Sequence, residues 1–348
     1  MSYGIPILVG FFGLALSYFF CALLKKTKVL DAPDGARKQQ VAPVGRLGGV
    51  GIALGALLAG FLLSAWQALN GTSESFADVS AWVTRNWQVC AFTAAAFLIG
   101  LLDDFGKAKT VPKLLGLFIA AIIVTVLGLY VSSFSTPWGT VEFAPALMAG
   151  SALWLLVFSN AANFMDGSNG LSVGCLAIML LGLAAIGIEA ETFTLNVWWL
   201  ALFGAILGFL AHNLRGRLYV GDAGALGLGA LFASQALASG LEVWTIATLS
   251  LPFLIDVLMT LVWRAKRGRN WLEAHLDHAY QRLIASGWSH LEAAVLYWGL
   301  SATAAVMAAI AAKAGGAAPF SVFWTLLIAG CVIWIRHRRT AILSDLSG

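Results

Sequence analysis

Apolar runs of about 20 residues, separated by short polar stretches, succeed one another along the whole 348-residue chain. An α-helix needs about 20 mostly apolar residues to cross about 30 Å of hydrocarbon. The pattern predicts eleven such spans, at 3–24, 47–69, 87–102, 113–131, 145–159, 171–188, 196–213, 225–241, 243–263, 291–312 and 320–335. The third and fifth are short, and their ends are expected to reach into the polar residues beside them. No repeat of about 20–50 residues and no low-complexity segment appears. The expectation is therefore an all-α polytopic membrane protein, one domain over 1–348.

Composition strengthens this. The chain is 60% hydrophobic and 11% charged, against roughly 25% charged residues in soluble domains. A net charge of +4 is too modest to suggest nucleic acid as a partner. Cys21, Cys90, Cys175 and Cys331 stand singly in apolar runs without a C-x-x-C pair, and are read as small buried hydrophobes.

Charge placement changes the picture more than charge content. Of 21 Lys and Arg, all but Arg85 and Lys313 fall in alternate loops or the C-terminal segment. The positive-inside rule makes that side cytoplasmic, with the N-terminus periplasmic and the C-terminus inside. No basic residue precedes the first span, which argues against a cleaved signal peptide. Glu74, Asp78, Glu142, Glu189, Glu191 and Glu242 lie on the outer side, whereas Asp103, Asp104, Asp166 and Asp222 stand at cytoplasmic span ends. Acids at that depth are costly and commonly functional. The cytoplasmic loops, about 25–46, 103–113, 160–170, 213–224 and 264–290, are thus expected to converge on one site.

Four clusters carry candidate chemistry. Adjacent Asp103 and Asp104 repel each other and need cations nearby to stay ionised, a need that Lys113 or Mg²⁺ meets. In Asn160-Ala-Ala-Asn163-Phe-Met-Asp166-Gly-Ser-Asn169-Gly170, polar groups recur every three residues, so on a helix their stripe drifts about 60° per step. A break at Gly167 or Gly170 would let the amides line a cavity, to hold a hard cation or read the edge of a base. In Gly221-Asp222-Ala-Gly224 the acid stands on bare backbone open to an ion, with Arg215 and Arg217 suited to phosphate or head groups. His275-Leu-Asp-His278-Ala-Tyr-Gln-Arg282 fills the long cytoplasmic loop. It lacks the Cys or third His that zinc would want, and His278 and Arg282 suit a diphosphate better. The first loop, from Asp31 to Arg46 and Gly49, is a Pro- and Gly-shaped turn with bases that can meet anionic lipid. Asp256, inside the ninth span, is either functional or a buried support for the long loop. His212, His290 and His337 sit at span ends and are read as structural.

Taken together and in order, Asp103-Asp104, Asn163-x-x-Asp166-Gly-x-Asn169-Gly, Gly221-Asp222-Ala-Gly224 and the His278 loop resemble the polyprenyl-phosphate N-acetylhexosamine-1-phosphate transferases. The resemblance extends from Asp31 to Arg282. It implies transfer of a sugar-1-phosphate from a UDP-sugar to undecaprenyl phosphate with release of UMP, at the cytoplasmic face of a bacterial inner membrane. Carried over by position, Mg²⁺ (with Mn²⁺ as a substitute) falls on Asp222 and Asn163. Uridine recognition falls near Asp166 and Asn169, phosphate contact on Lys113, and orientation of the lipid phosphate on Asp103 or Asp104. His278 and Arg282 fall on the loop's catalytic positions, with Arg46 and His275 as substrate contacts. A homodimer is the family expectation.

Ala225, Gln40 and Leu276 stand where the family commonly has Ser, His and Arg. The loop lacks the triple-His run of the peptidoglycan MurNAc-pentapeptide branch and looks more like the branch that starts O-antigen or related surface glycans. Phosphate attacking phosphate is anion on anion, and needs charge neutralisation and in-line positioning more than a strong base. A transporter, the rival class, would place charge at the midplane and show half-repeats. Here the polar clusters lie at cytoplasmic helix ends and no half-repeat is evident.

Overall fold

The computed structural model describes residues 4–32, 42–69, 76–107, 109–193, 196–270 and 275–347. In chain order the elements are α1 (Gly4–Leu24), β1 (Leu30–Asp31), β2 (Val44–Gly45), α2 (Gly48–Leu69), α3 (Phe76–Arg85), α4 (Trp87–Asp104) and α5 (Thr110–Val126). There follow β3 (Phe134–Thr136), β4 (Gly139–Val141), α6 (Ala144–Phe164), α7 (Leu171–Glu189), α8 (Val197–Asn213) and α9 (Gly221–Ala238). The chain closes with α10 (Val243–Lys266), α11 (Ala279–Ala285), α12 (His290–Ala314) and α13 (Ala318–Ser347).

Each of the eleven predicted spans falls on one helix, and the short α3 and α11 are additions. Among the described residues seven helices are long and apolar enough to cross a membrane, and α1, α5 and α8 contain shorter apolar helical stretches. The protein is a polytopic helical membrane protein. Boundaries differ from expectation where polar residues begin. The third span continues to Asp104 and the fifth to Phe164, while the eighth starts at Gly221 instead of residue 225. Asp222 therefore occupies the first turn of a helix rather than a loop.

Helix α9 lies at the centre. Its residues from Gly221 to Ala236 are buried on almost every side, packed by α4 and α6, with α2 and α7 completing the ring. Alanine and glycine make this approach possible. A Cβ on Gly100 of α4 would lie 2.3 Å from the carbonyl oxygen of Asp222, so only glycine lets the two helices close there. A second group, α1, α2 and α8, packs beside it, and α10, α12 and α13 close the other flank. Cys21 and Cys175 are buried, Cys90 and Cys331 half-buried, and all four are free.

Two small hairpins sit at opposite ends. At the end holding Asp104, β1 pairs antiparallel with β2, and Gly45 bridges in parallel to Leu218. Tyr219 N–H donates to the Gly45 carbonyl at 2.8 Å, while Gly48 and Gly49 donate back to Tyr219 and Val220. The segment before α9 is thus stitched to the first loop, which fixes Arg46 over the start of α9. Residues 33–41 of that loop, Gln40 among them, lie outside the described residues. At the far end, β3 pairs with β4 around a tight turn.

Candidate active site

The N-terminus of α9 organises the site. Val220, its cap position, supplies no side-chain acceptor. The carboxylate comes instead from α4. Asp104 accepts from Asp222 N–H at 2.9 Å and from Ala223 N–H at 3.0 Å. A carboxylate there satisfies two donors that a helix leaves orphaned and faces the positive end of the helix dipole. The Asp104 side chain is fully buried, and Arg46 donates to the same oxygen through Nε and Nη2, both at 2.9 Å. Burial opposes the Arg46 charge, yet Asp104 and Asp222 outweigh it and hold the guanidinium above its ordinary pKa. Gly221 turns the chain into the helix with φ of 72°, and a Cβ there would meet the Arg46 carbonyl at 2.0 Å. Both the left-handed backbone and the space require glycine.

Asp103, one residue before Asp104, points elsewhere. Lys113 Nζ lies 2.6 Å from Asp103 Oδ2 and 2.6 Å from Asp222 Oδ2, one ammonium between two carboxylates. Asn163 Nδ2 approaches Asp222 Oδ2 at 3.4 Å, and Arg46 lies 3.7 Å from Asp222 Oδ1. Asp103 and Asp222 keep about a fifth of their side-chain surface open, at 23% and 22%. The tandem acids thus divide their work: Asp104 is sealed against the backbone of α9, and Asp103 faces the open cluster.

The break expected after Asn163 is present. Helix α6 ends at Phe164, and α7 begins at Leu171. Asn213 holds the turn by accepting from Gly170 N–H and donating to the Leu218 carbonyl at 2.9 Å. Asp166 lies in this turn, half-buried. Burial, then the charges of Asp222 and Asp104, push its carboxyl well above the usual carboxylate range. Asn169 faces the backbone at Gly216 across the turn. Asn160 does not join the site, since its amide donates to the Leu156 carbonyl of its own helix at 2.8 Å. Arg215 and Arg217 are exposed on the neighbouring turn.

The long loop docks onto the same turn. Tyr280 is buried, donates to the Phe164 carbonyl at 3.0 Å and accepts from Gly167 N–H at 3.0 Å. His278 is buried, stacks on Phe164 and Tyr280, and turns Nδ1 to within 3.5 Å of Asp256 Oδ1. Arg282 lies one turn along α11, partly buried. His275 packs against His278 at 5.1 Å between ring centroids. Burial, with His278 and Arg264 nearby, pushes His275 down to about 4. No hydrogen bond or ion pair joins His275 or His278 to the Asp103–Lys113–Asp222 group among the described residues.

Asp256 supports the loop. It accepts from Ala279 N–H at 2.8 Å and Tyr297 Oη at 2.6 Å, with weaker contacts from Thr260, Tyr280 N–H and Trp334. A second clamp escaped sequence reasoning. Asp277 pairs with Arg264 and with Arg338, at 3.2 Å for the latter. Burial alone would raise Asp277, but the hydrogen bonds from the two arginines outweigh it and hold the carboxyl below its ordinary value. Arg338 looked like one more base of the C-terminal run, and only the fold shows its guanidinium buried over Trp263 at 3.6 Å from the ring centroid. His212 and His290 are structural, on the Tyr18 carbonyl and Ser168.

The donor set suits a hard cation. Asp222, Asp103 and the Asn163 amide, whose oxygen and nitrogen can exchange places by a flip, present only oxygen ligands within one small cluster. Mg²⁺ is commonly held by one or two carboxylates and completes its shell with substrate phosphate and water. No group of three or more His, Cys, Asp or Glu arranged for a metal occurs among the described residues, so an all-protein cage is absent from them.

Comparison with known proteins places the chain in a family. Residues 86–240 match the family described as Glycosyl transferase family 4, a stretch that contains Asp103, Lys113, Asn163 and Asp222. The chain is 26% identical over 337 residues to the decaprenyl-phosphate N-acetylglucosaminephosphotransferase of Mycobacterium leprae, covering 85% of this chain and 82% of that one. It is 27% identical over 277 residues to the probable undecaprenyl-phosphate N-acetylglucosaminyl 1-phosphate transferase of Bacillus subtilis, covering 76% and 72%. With the phospho-N-acetylmuramoyl-pentapeptide-transferase of Nostoc sp. it shares 32% over 268 residues, covering 69% and 70%. The chain belongs to glycosyl transferase family 4, the family of polyprenyl-phosphate sugar-1-phosphate transferases that its motifs resemble.

Proposed function

We propose that this protein transfers N-acetylhexosamine-1-phosphate from a UDP-sugar to undecaprenyl phosphate, yielding the lipid-diphosphate sugar and UMP. The observation that carries the reading is the meeting of Asp103, Lys113, Asn163 and Asp222 at one point, from the ends of four helices. Eleven helices crossing a bacterial inner membrane, with the N-terminus periplasmic and the C-terminus cytoplasmic, would put that point at the cytoplasmic surface. A nucleotide sugar and a lipid phosphate can both reach it there.

In this reading an oxygen of the lipid phosphate attacks the sugar-bearing phosphorus of the UDP-sugar. The bond from that phosphorus to the bridging oxygen breaks, and its electron pair leaves on the phosphate of UMP. Both reactants are anions, so the chain's task is to neutralise and align them. Lys113 offers its ammonium to a phosphate oxygen, and Arg46 adds positive charge beside Asp222. Asp103 orients the lipid phosphate, while Asp104 acts through α9 as a positioning residue. Asp222 and Asn163 would hold Mg²⁺, which when bound screens the diphosphate charge and steadies the leaving group. Asp166 and Asn169 face the turn where the uridine edge would be read, and the His278 loop covers the sugar.

N-acetylglucosamine is the amino sugar we favour, since relatives that cover most of the chain are named for it, while a loop with His275 and His278 but no run of three histidines weighs against the MurNAc-pentapeptide branch. The same loop resembles the branch that starts O-antigen or related surface glycans, and that is the use we propose for the product. The test is purified protein with undecaprenyl phosphate and Mg²⁺ against a panel of UDP-sugars, reading UMP and lipid product. Turnover with UDP-N-acetylglucosamine and none with UDP-MurNAc-pentapeptide is the expected result. The reverse preference would move the protein to the peptidoglycan branch.

A further inference from the structure

Two adjoining cavities open at the end of the bundle opposite Asp222. The 18 residues of α4 and of α9 put the two ends about 27 Å apart at 1.5 Å per residue. The larger cavity holds about 1140 Å³ and the smaller about 630 Å³. They share a wall built from Ser135 of β3, Thr192 and the 240–242 turn that carries Glu242. Nothing in the transfer reaction uses them.

Their linings differ in chemistry. The larger is walled by Ile186 of α7, Ile310 of α12 and Phe320 of α13, with Trp244 at the shared side. The smaller is polar, lined by Ser132, Ser133 and Asn86, with both Arg85 and Glu242 in its lining. No ion pair joins Arg85 to Glu242 among the described residues, and no cation pairs with Glu242 there. The ion pair at this end, Lys313 with Glu189, lies at the larger cavity and is exposed.

Two buried polar atoms on the linings lack partners. Gln235 is 5% exposed, lines the smaller cavity, and its Oε1 accepts no hydrogen bond. Thr245 is 1% exposed, lines the larger, and its Oγ1 is also unmatched. A buried polar atom left unsatisfied costs about 1–3 kcal/mol, so such atoms on a cavity wall call for a ligand that completes them. A single base and a single acid on the walls of a polar chamber match a zwitterion. The apolar chamber beside it matches a hydrocarbon chain.

We propose that the two cavities form one binding site for a zwitterionic phospholipid with a primary-ammonium head group. The ammonium donates to Glu242 and, once the amide turns its buried Oε1 toward the chamber, to Gln235; the phosphate faces Arg85, and an acyl chain lies along α7, α12 and α13. A quaternary ammonium has no N–H to give Gln235, and an anionic head group has no charge for Glu242. The site therefore distinguishes phosphatidylethanolamine from phosphatidylcholine and from phosphatidylglycerol.

The full-length protein, reconstituted in an equal mixture of those three lipids and re-extracted, tests this by native mass spectrometry of retained lipid. Phosphatidylethanolamine is expected at least about ten-fold over either other lipid, the value of one charged hydrogen bond. Gln235→Leu should erase the preference without lowering the melting temperature in lipid-free detergent, because it removes an atom that has no partner. Glu242→Gln should erase it too. Since Glu242 also caps α10 through Trp244 N–H, Arg85→Gln, on an exposed side chain, gives an independent reading and should cut the preference several-fold. Equal retention of the three lipids by the wild-type protein overturns the proposal. So does an undiminished preference in Gln235→Leu and Arg85→Gln.

Discussion

Asp104→Ala removes the acceptor that closes the first turn of α9. Asp222 and Ala223 N–H lose their partner, and Arg46 loses a carboxylate held at 2.9 Å with no solvent access. Taking one member from a buried ion pair costs about 3–5 kcal/mol, and loss of a helix cap accounts for about 1 kcal/mol of that. At roughly 2 °C per kcal/mol, the low end of the range because this chain is longer than about 250 residues, thermal unfolding in one detergent should fall by about 6–10 °C. Asp103→Ala is the control. Asp103 is partly exposed, and Lys113 keeps Asp222 when it is gone, so its effect on melting should stay within about 1 kcal/mol while turnover collapses. Asp104→Asn, which retains one acceptor oxygen, should fall between. Asp104→Ala melting with the wild-type protein, or Asp103→Ala matching its drop, would refute the division of labour between the two acids.

Further outcomes follow from the same geometry. Lys113→Ala removes the ammonium between Asp103 and Asp222 and leaves only Arg46, 3.7 Å from Asp222, to offset their charge, and UMP release should fall about 10²–10³-fold. Lys113→Arg should not rescue it, because a planar fork cannot sit as a point charge between two carboxylates. Gly221→Ala would press its methyl into the Arg46 carbonyl at a φ of 72°, and reduced yield of folded protein on size-exclusion chromatography is expected. His275 titrates near 4 in the folded protein against an ordinary 6.5, so between those values the unfolded chain binds more protons. Its contribution to stability is then complete above about pH 6.5 and declines as pH falls toward 4, by about 1–2 kcal/mol after solvent screening. Subtracting the melting curve of His275→Gln from that of the wild type should isolate this decline, and parallel curves would contradict it.

The helices were legible because membrane crossing imposes a length and a composition that each run satisfies by itself. The polar clusters were legible for a related reason: acids and amides are few in such a chain, and Asp103, Lys113, Asn163 and Asp222 do meet. What local pattern could not show was which carboxylate faces which donor. Asp104 is bound to a helix 118 residues away, and nothing in its immediate neighbours distinguishes it from Asp103. The buried pairing of Arg338 with Asp277 spans 61 residues and looks, along the chain, like an ordinary positive-inside base. Along the chain His278 reads as a loop histidine suited to a diphosphate, and only the fold sets Asp256 and Phe164 beside it. Such pairings depend on helix packing rather than on composition.

The central claim is that the Asp103–Lys113–Asp222 cluster is where sugar phosphate is passed to a lipid phosphate. The direct measurement is UMP and undecaprenyl-diphosphate-sugar formed by purified protein from UDP-N-acetylglucosamine, with and without Mg²⁺, for the wild type and Asp222→Ala. Equal amounts of both products are expected, abolished by chelation, restored by Mg²⁺ or Mn²⁺, and lost in a folded Asp222→Ala protein. Near-normal, Mg²⁺-dependent turnover in Asp222→Ala, or UMP release without lipid product, would contradict it.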